Sequence, residues 1–96
     1  MQFNFEWDPR KADANARKHG VSFELASTVF RDPGAKSIYD MDHSTEEERW
    51  LTLGIGSTGI LLVVHHTFAE IDPGTAIVRI ISGRKATRRE QRQYRE

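Results

Sequence analysis

The sequence predicts an α+β fold: an antiparallel sheet of about four to five strands, two N-terminal helices and a C-terminal helix. Three observations carry this expectation. The second half of the chain holds strand-like runs rich in β-branched residues, joined at Thr58-Gly59 and Asp72-Pro73-Gly74 by turns short enough to favour antiparallel neighbours. Two segments with helix caps lie between residues 8 and 34. Thr87 followed by Glu90 is a capping box that opens a last helix. The expected order is β-α-α-β-β-β-β-α. Ninety-six residues suffice for a single domain with a modest core.

Residues 2–7 alternate apolar and polar at Phe3, Phe5 and Trp7, as a strand with one buried face does. Asp8-Pro9 then starts a helix, with aspartate at the cap and proline where its missing N–H costs nothing. That helix stops at Gly20 and places Ala12, Asn15, Ala16 and His19 on its inner stripe. Asn15 in such a stripe needs a backbone or side-chain partner. Ser22 caps a second helix with Phe23, Ala26, Val29 and Phe30 inward, ended by Asp32-Pro33-Gly34. Residues 35–39 form a short strand and 40–47 an acidic loop. Residues 48–57, 60–68 and 76–82 complete the sheet, with 60–68 the most hydrophobic and therefore central. Gly83 is read as the corner from the last strand towards the last helix.

The net charge of zero hides two poles. Residues 79–96 hold seven basic and two acidic groups, net +5, and residues 1–78 hold seven basic and twelve acidic, net −5. Such a chain can take an anion at one pole and a basic partner at the other, and does not resemble a coat for nucleic acid. Without cysteine it has no disulfide, thiolate metal site or cysteine nucleophile. No apolar run approaches membrane-helix length and no signal peptide is read, so the expected address is a bacterial-type cytoplasm. His19, His43, His65 and His66 lack metal-site spacing, and Gly54-Ile55-Gly56 lacks the rest of a nucleotide fingerprint. No metal or cofactor is expected.

The organising stretch is residues 79–90. Arg84, Lys85, Arg88 and Arg89 crowd the start of a helix, where the macrodipole disfavours positive charge. Clustered cations beside free backbone N–H groups suit a polyanion. The alternative is a solvated cationic C-terminus, and charge alone weighs the two evenly.

Phe5-Glu6-Trp7-Asp8-Pro9, Asn15 with Lys18-His19-Gly20-Val21-Ser22-Phe23, Glu47-Glu48-Arg49-Trp50, residues 61–67 and residues 79–90 together resemble the BrnT family, ribonuclease toxins of bacterial type II toxin–antitoxin systems. The match runs through nearly the whole chain. It implies a fold similar to RelE-type toxins, RNA cleavage, inhibition of translation, and neutralisation by a BrnA-like antitoxin. That antitoxin would bind operator DNA, in a hetero-oligomer that represses its own operon. The sequence departs from the family pattern at Gly83, where alanine is more usual, and at His65-His66, which replaces valine–histidine. The loop over 68–76 is also longer.

Metal-independent RNA cleavage needs a base for the 2′-OH, cations around the phosphate and an acid for the leaving 5′-oxygen. Arg49, Arg79, Arg84, Lys85 and Arg88 can supply the clamp, with Arg89 in the same first helical turn; Arg88, Arg92 and Arg95 share one helix face and could track an RNA backbone, with a solvated face or an antitoxin contact as the alternative. Arg79 is the most informative, because it interrupts a β-branched strand; its alternative is a snorkelling edge arginine. Glu48 and His66 are candidate bases, Lys85 a candidate acid or base, and His65 the competing histidine. His66 alternates with Val64 and Phe68, so a satisfied core histidine is its alternative. For the whole chain, the rivals to an endoribonuclease are a non-catalytic nucleic-acid binder and an antitoxin-binding module.

Overall fold

In a computed structural model, which describes residues 1–44 and 47–96, local signals begin and end the helices as the sequence expects. Helix α1 (Pro9–His19) starts at Asp8, whose carboxylate accepts the Arg10 N–H at 2.8 Å. It ends at Gly20, left-handed at φ 69°, whose N–H reaches the Ala16 carbonyl. Ser22 caps the five-residue α2 (Phe23–Ser27), which tightens into a 3-10 turn over Thr28–Arg31. Thr87 and Glu90 close a reciprocal capping box at α3 (Arg88–Arg95).

Among the described residues six strands form one sheet: β1 (Gln2–Glu6), β2 (Lys36–Tyr39), β3 (Arg49–Ile55), β4 (Leu61–Thr67), β5 (Ala69–Asp72) and β6 (Thr75–Lys85). Their order is β1-β6-β4-β3-β2, with β5 continuing the β4 side of β6. β4 is central, as its hydrophobicity predicts. Three expectations are corrected. The sheet is mixed and not antiparallel, because β1 runs parallel to β6, Gln2 opposite Thr75 and Glu6 opposite Arg79. Tight turns dictate antiparallel pairing only for sequential strands, and these two are joined through the whole intervening chain. The strands number six, so the order gains a strand: residues 69–72, expected in a loop, form β5, whose four residues are all exposed. The expected acidic loop over 40–47 contains a 3-10 turn at Met41–His43, and its Thr45 and Glu46 lie outside the described residues.

The third correction concerns Gly83. It is not a corner: β6 runs through it to Lys85, with Gly83 opposite Val64. A Cβ here would stand 3.1 Å from Ala26 Cβ and 3.4 Å from Val21 Cγ1, so glycine serves the close approach of the helices. Asn15 completes the contact. Its amide donates to the carbonyls of Val21 (2.9 Å) and Gly83 (2.8 Å), and its oxygen accepts the Gly83 N–H. One strand position earlier, Ile80 pairs with His66 and Ser82 with His65, leaving Ile81 as a bulge.

α1 and α2 cover one face of the sheet, where Val21, Phe23, Ala26 and Val29 pack on Leu62, Val64, Val78 and Ile80. Each large side chain fully buried there contributes about 1.5–3 kcal/mol. α3 crosses the other face. Lys36 Nζ donates to the Gln93 and Glu96 carbonyls, Glu90 grips Arg84, and Tyr94 donates to Asp32. On that face Leu53 and Val63, directly opposite each other, are buried. Among the described residues no other α-helix covers it.

Candidate active site

Strand register builds the open face. Arg49 stands opposite Thr67, and the Arg79 N–H donates to Thr67 Oγ1 at 3.2 Å, so Arg49, Thr67 and Arg79 form a row across β3, β4 and β6. The next row is Leu51, His65 and Ser82. Pleating puts both rows on the side away from α1 and α2. Both guanidiniums reach the same atom, Glu47 Oε1: Arg79 through a direct Nη2 hydrogen bond, Arg49 through Nη2 at 3.6 Å. Their side chains keep 40% and 36% of their surface exposed, so the charges are held but accessible. Arg49 Nε, by contrast, is buried and has no hydrogen-bond partner among the described residues.

Beside this row is a cavity of about 220 Å³ lined by Asp40, His43, Arg49, His65 and Ile81. Its outer wall is pinned to β3. The Asp40 N–H donates to the Arg49 carbonyl at 2.8 Å, and the Ser44 hydroxyl accepts the Arg49 N–H at 2.9 Å while donating to the Asp40 carbonyl. Half-buried His65 has its pKa pushed below the ordinary histidine value, first by burial and then by the Arg84 guanidinium, against the pull of Asp40. Its imidazole is therefore neutral near pH 7 and able to accept a proton.

The structure brings Arg49 and Arg79 together and separates the other candidates. Arg84 shares their face beyond His65, but its guanidinium is engaged by both Glu90 oxygens at 2.8 and 2.9 Å. Lys85 is exposed at the end of β6, and Glu48 is exposed beside the carboxylate that meets the arginines, Glu47. Arg88, Arg89 and Arg92 are exposed on α3. His66 lies on the opposite face, 2% exposed. Its Nδ1–H donates to the Thr67 carbonyl at 2.9 Å, so Nε2 accepts the Thr52 hydroxyl at 2.6 Å, and Ser37 in turn donates to Thr52. Burial pushes its pKa down, and Phe30 packs edge-on at 4.8 Å. Among the described residues no cluster of three or more histidines and carboxylates could hold a metal ion.

Glu47, His43 and Asp40 were not singled out from the sequence. For Glu47 a signal existed, since it heads the Glu47-Glu48-Arg49-Trp50 segment; the choice between adjacent glutamates depends on loop geometry.

Comparison with known proteins decides the family. Residues 7–90 match the model of the ribonuclease toxin BrnT of type II toxin–antitoxin systems. The chain belongs to this family. BrnT-type toxins are ribonucleases paired with an antitoxin. The 1.1 Å crystal structure of the Brucella abortus ribonuclease toxin BrnT is similar at TM-score 0.63 and 21% identity, covering 92% of this chain and 100% of that one. At that identity the likeness is one of fold. Among curated proteins no significant match is found.

Proposed function

We infer that this BrnT-family chain is a metal-independent endoribonuclease that cleaves RNA through its own 2′-OH. On this reading it inhibits translation in the cytoplasm, is similar to RelE-type toxins, and is neutralised by a BrnA-like antitoxin that represses the shared operon. The observation that carries the catalytic part is the convergence of Arg49 and Arg79 on a single carboxylate oxygen. An oxygen anion held between two guanidiniums marks where a phosphate oxygen would sit once RNA displaces Glu47.

The chemistry then follows from the neighbouring groups. RNA carries its nucleophile beside the phosphate, so the protein has only to orient, deprotonate and stabilise. Neutral His65 takes the 2′-OH proton. Arg79 and Arg49 hold the two non-bridging oxygens as negative charge grows on the pentacoordinate phosphorus. Arg84, engaged by Glu90, helps keep His65 unprotonated against the opposing pull of that carboxylate, and is not counted as a clamp.

Purified protein is mixed with RNA in EDTA, alongside a folded Arg79→Ala variant. The expected result is 2′,3′-cyclic phosphate ends from wild type and a loss of about 100–1,000-fold in rate for the variant. Equal cleavage by both would remove Arg79 from the site. Salt-sensitive binding without cleavage would favour the binding-module reading.

A further inference from the structure

Resting on the ribonuclease reading above, we propose that His43, held by Asp40, is the general acid that protonates the leaving 5′-oxygen. The cavity beside the arginine row contains two histidines, and only one of them can be the base. His65 stands on the sheet floor; His43 comes from the opposite wall, on the 3-10 turn. Its Nδ1–H donates to Asp40 Oδ2 at 2.9 Å. Asp40 is well anchored for this role: its side chain is 11% exposed, its N–H and carbonyl are both bonded, and it lines the same cavity. With Nδ1 bonded to Asp40, Nε2 is the ring nitrogen left to meet substrate, on a side chain that is 64% exposed. The ionisable groups around it are Asp40, His65, Arg49 and the neighbouring Asp42.

The step balances without any other reactant. The 2′-oxygen attacks phosphorus as its proton passes to His65. The P–O5′ bond breaks, and the 5′-oxygen takes a proton from His43 Nε2. One histidine ends with the proton that the other has lost, and solvent exchange restores both. Arg49 and Arg79 hold the phosphate beside the cavity that the two histidines line.

The test separates leaving-group protonation from mere positioning. Wild type, His43→Ala, His43→Gln and His65→Ala are assayed in EDTA on a dinucleotide and on uridine 3′-(4-nitrophenyl phosphate), whose aryl oxide departs without a proton. His43 variants should lose about 100-fold or more on the dinucleotide and stay within about 3-fold of wild type on the aryl ester. His65→Ala should lose both. If His43→Ala and His43→Gln lose both substrates alike, or neither, His43 is not the acid, while the ribonuclease reading survives. If wild type cleaves neither substrate, that reading falls and the acid assignment falls with it.

Discussion

Asn15 makes three backbone hydrogen bonds at one buried point, tying α1 to the turn before α2 and to β6. Replacing it with alanine strands the Gly83 N–H and two carbonyls where water is excluded. Each stranded group costs about 1–3 kcal/mol, without full additivity, so Asn15→Ala should lose about 3 kcal/mol. In a domain of this size that lowers the thermal midpoint by roughly 15 °C, readable by circular dichroism; a drop below about 4 °C would show that the network relaxes freely. The sequence made Asn15 legible, because a polar residue on an inner helical stripe must find partners. It made Gly83 misleading. A glycine before a helix cap reads as a corner, whereas here it lets two helices approach a continuous strand, a tertiary cause with no local signal. His66 shows the same limit: its neighbours Val64 and Phe68 already pointed inward, and its pairing with Thr52 follows from the β3–β4 register.

At the scale of elements, α3 is joined to β6 through Glu90. That carboxylate accepts from Arg84 and from the Thr87 N–H, and these bonds, Arg84 foremost, hold its pKa at about 2 against the usual 4.5. A carboxyl depressed on folding adds stability in full above the unfolded value, and loses it as pH falls from about 4.5 towards 2. Glu90→Gln should therefore cost about 1–2 kcal/mol at pH 7, after allowance for solvent screening. The melting difference from wild type should shrink on acidification and vanish near pH 2. A pH-independent difference would assign the effect to the cap geometry alone. This box was legible because Thr87 and Glu90 act over three residues. β5 was not, since its four exposed residues carry no burial pattern, and neither was the parallel pairing of β1, which depends on residues some seventy positions away.

Across the whole molecule, β6 and α3 bring much of the basic C-terminal pole to the face away from α1 and α2. β6 carries Arg79 in the candidate site, and α3 returns over the same face with Arg88, Arg89 and Arg92 exposed. A strand of RNA held at Arg49 and Arg79 could thus continue towards α3, a distance of about 16 Å along β6 at 3.3 Å per residue. Counterion release distinguishes a short footprint from a long one, because each phosphate neutralised on single-stranded nucleic acid adds roughly −0.7 to the slope of log binding constant against log salt. Two contacts predict a slope of about −1.4, and five predict about −3.5. We expect the steeper slope for the wild-type protein, falling to the shallower one when Arg88, Arg89 and Arg92 are all changed to alanine. Binding by fluorescence anisotropy, on a 2′-deoxy-substituted strand that cannot be cut, gives both values. An unchanged slope in the triple variant would confine RNA to the sheet and leave the helix arginines to an antitoxin or to solvent. The second assignment separates further: antitoxin should then protect those arginines from modification while leaving RNA affinity of the free toxin untouched.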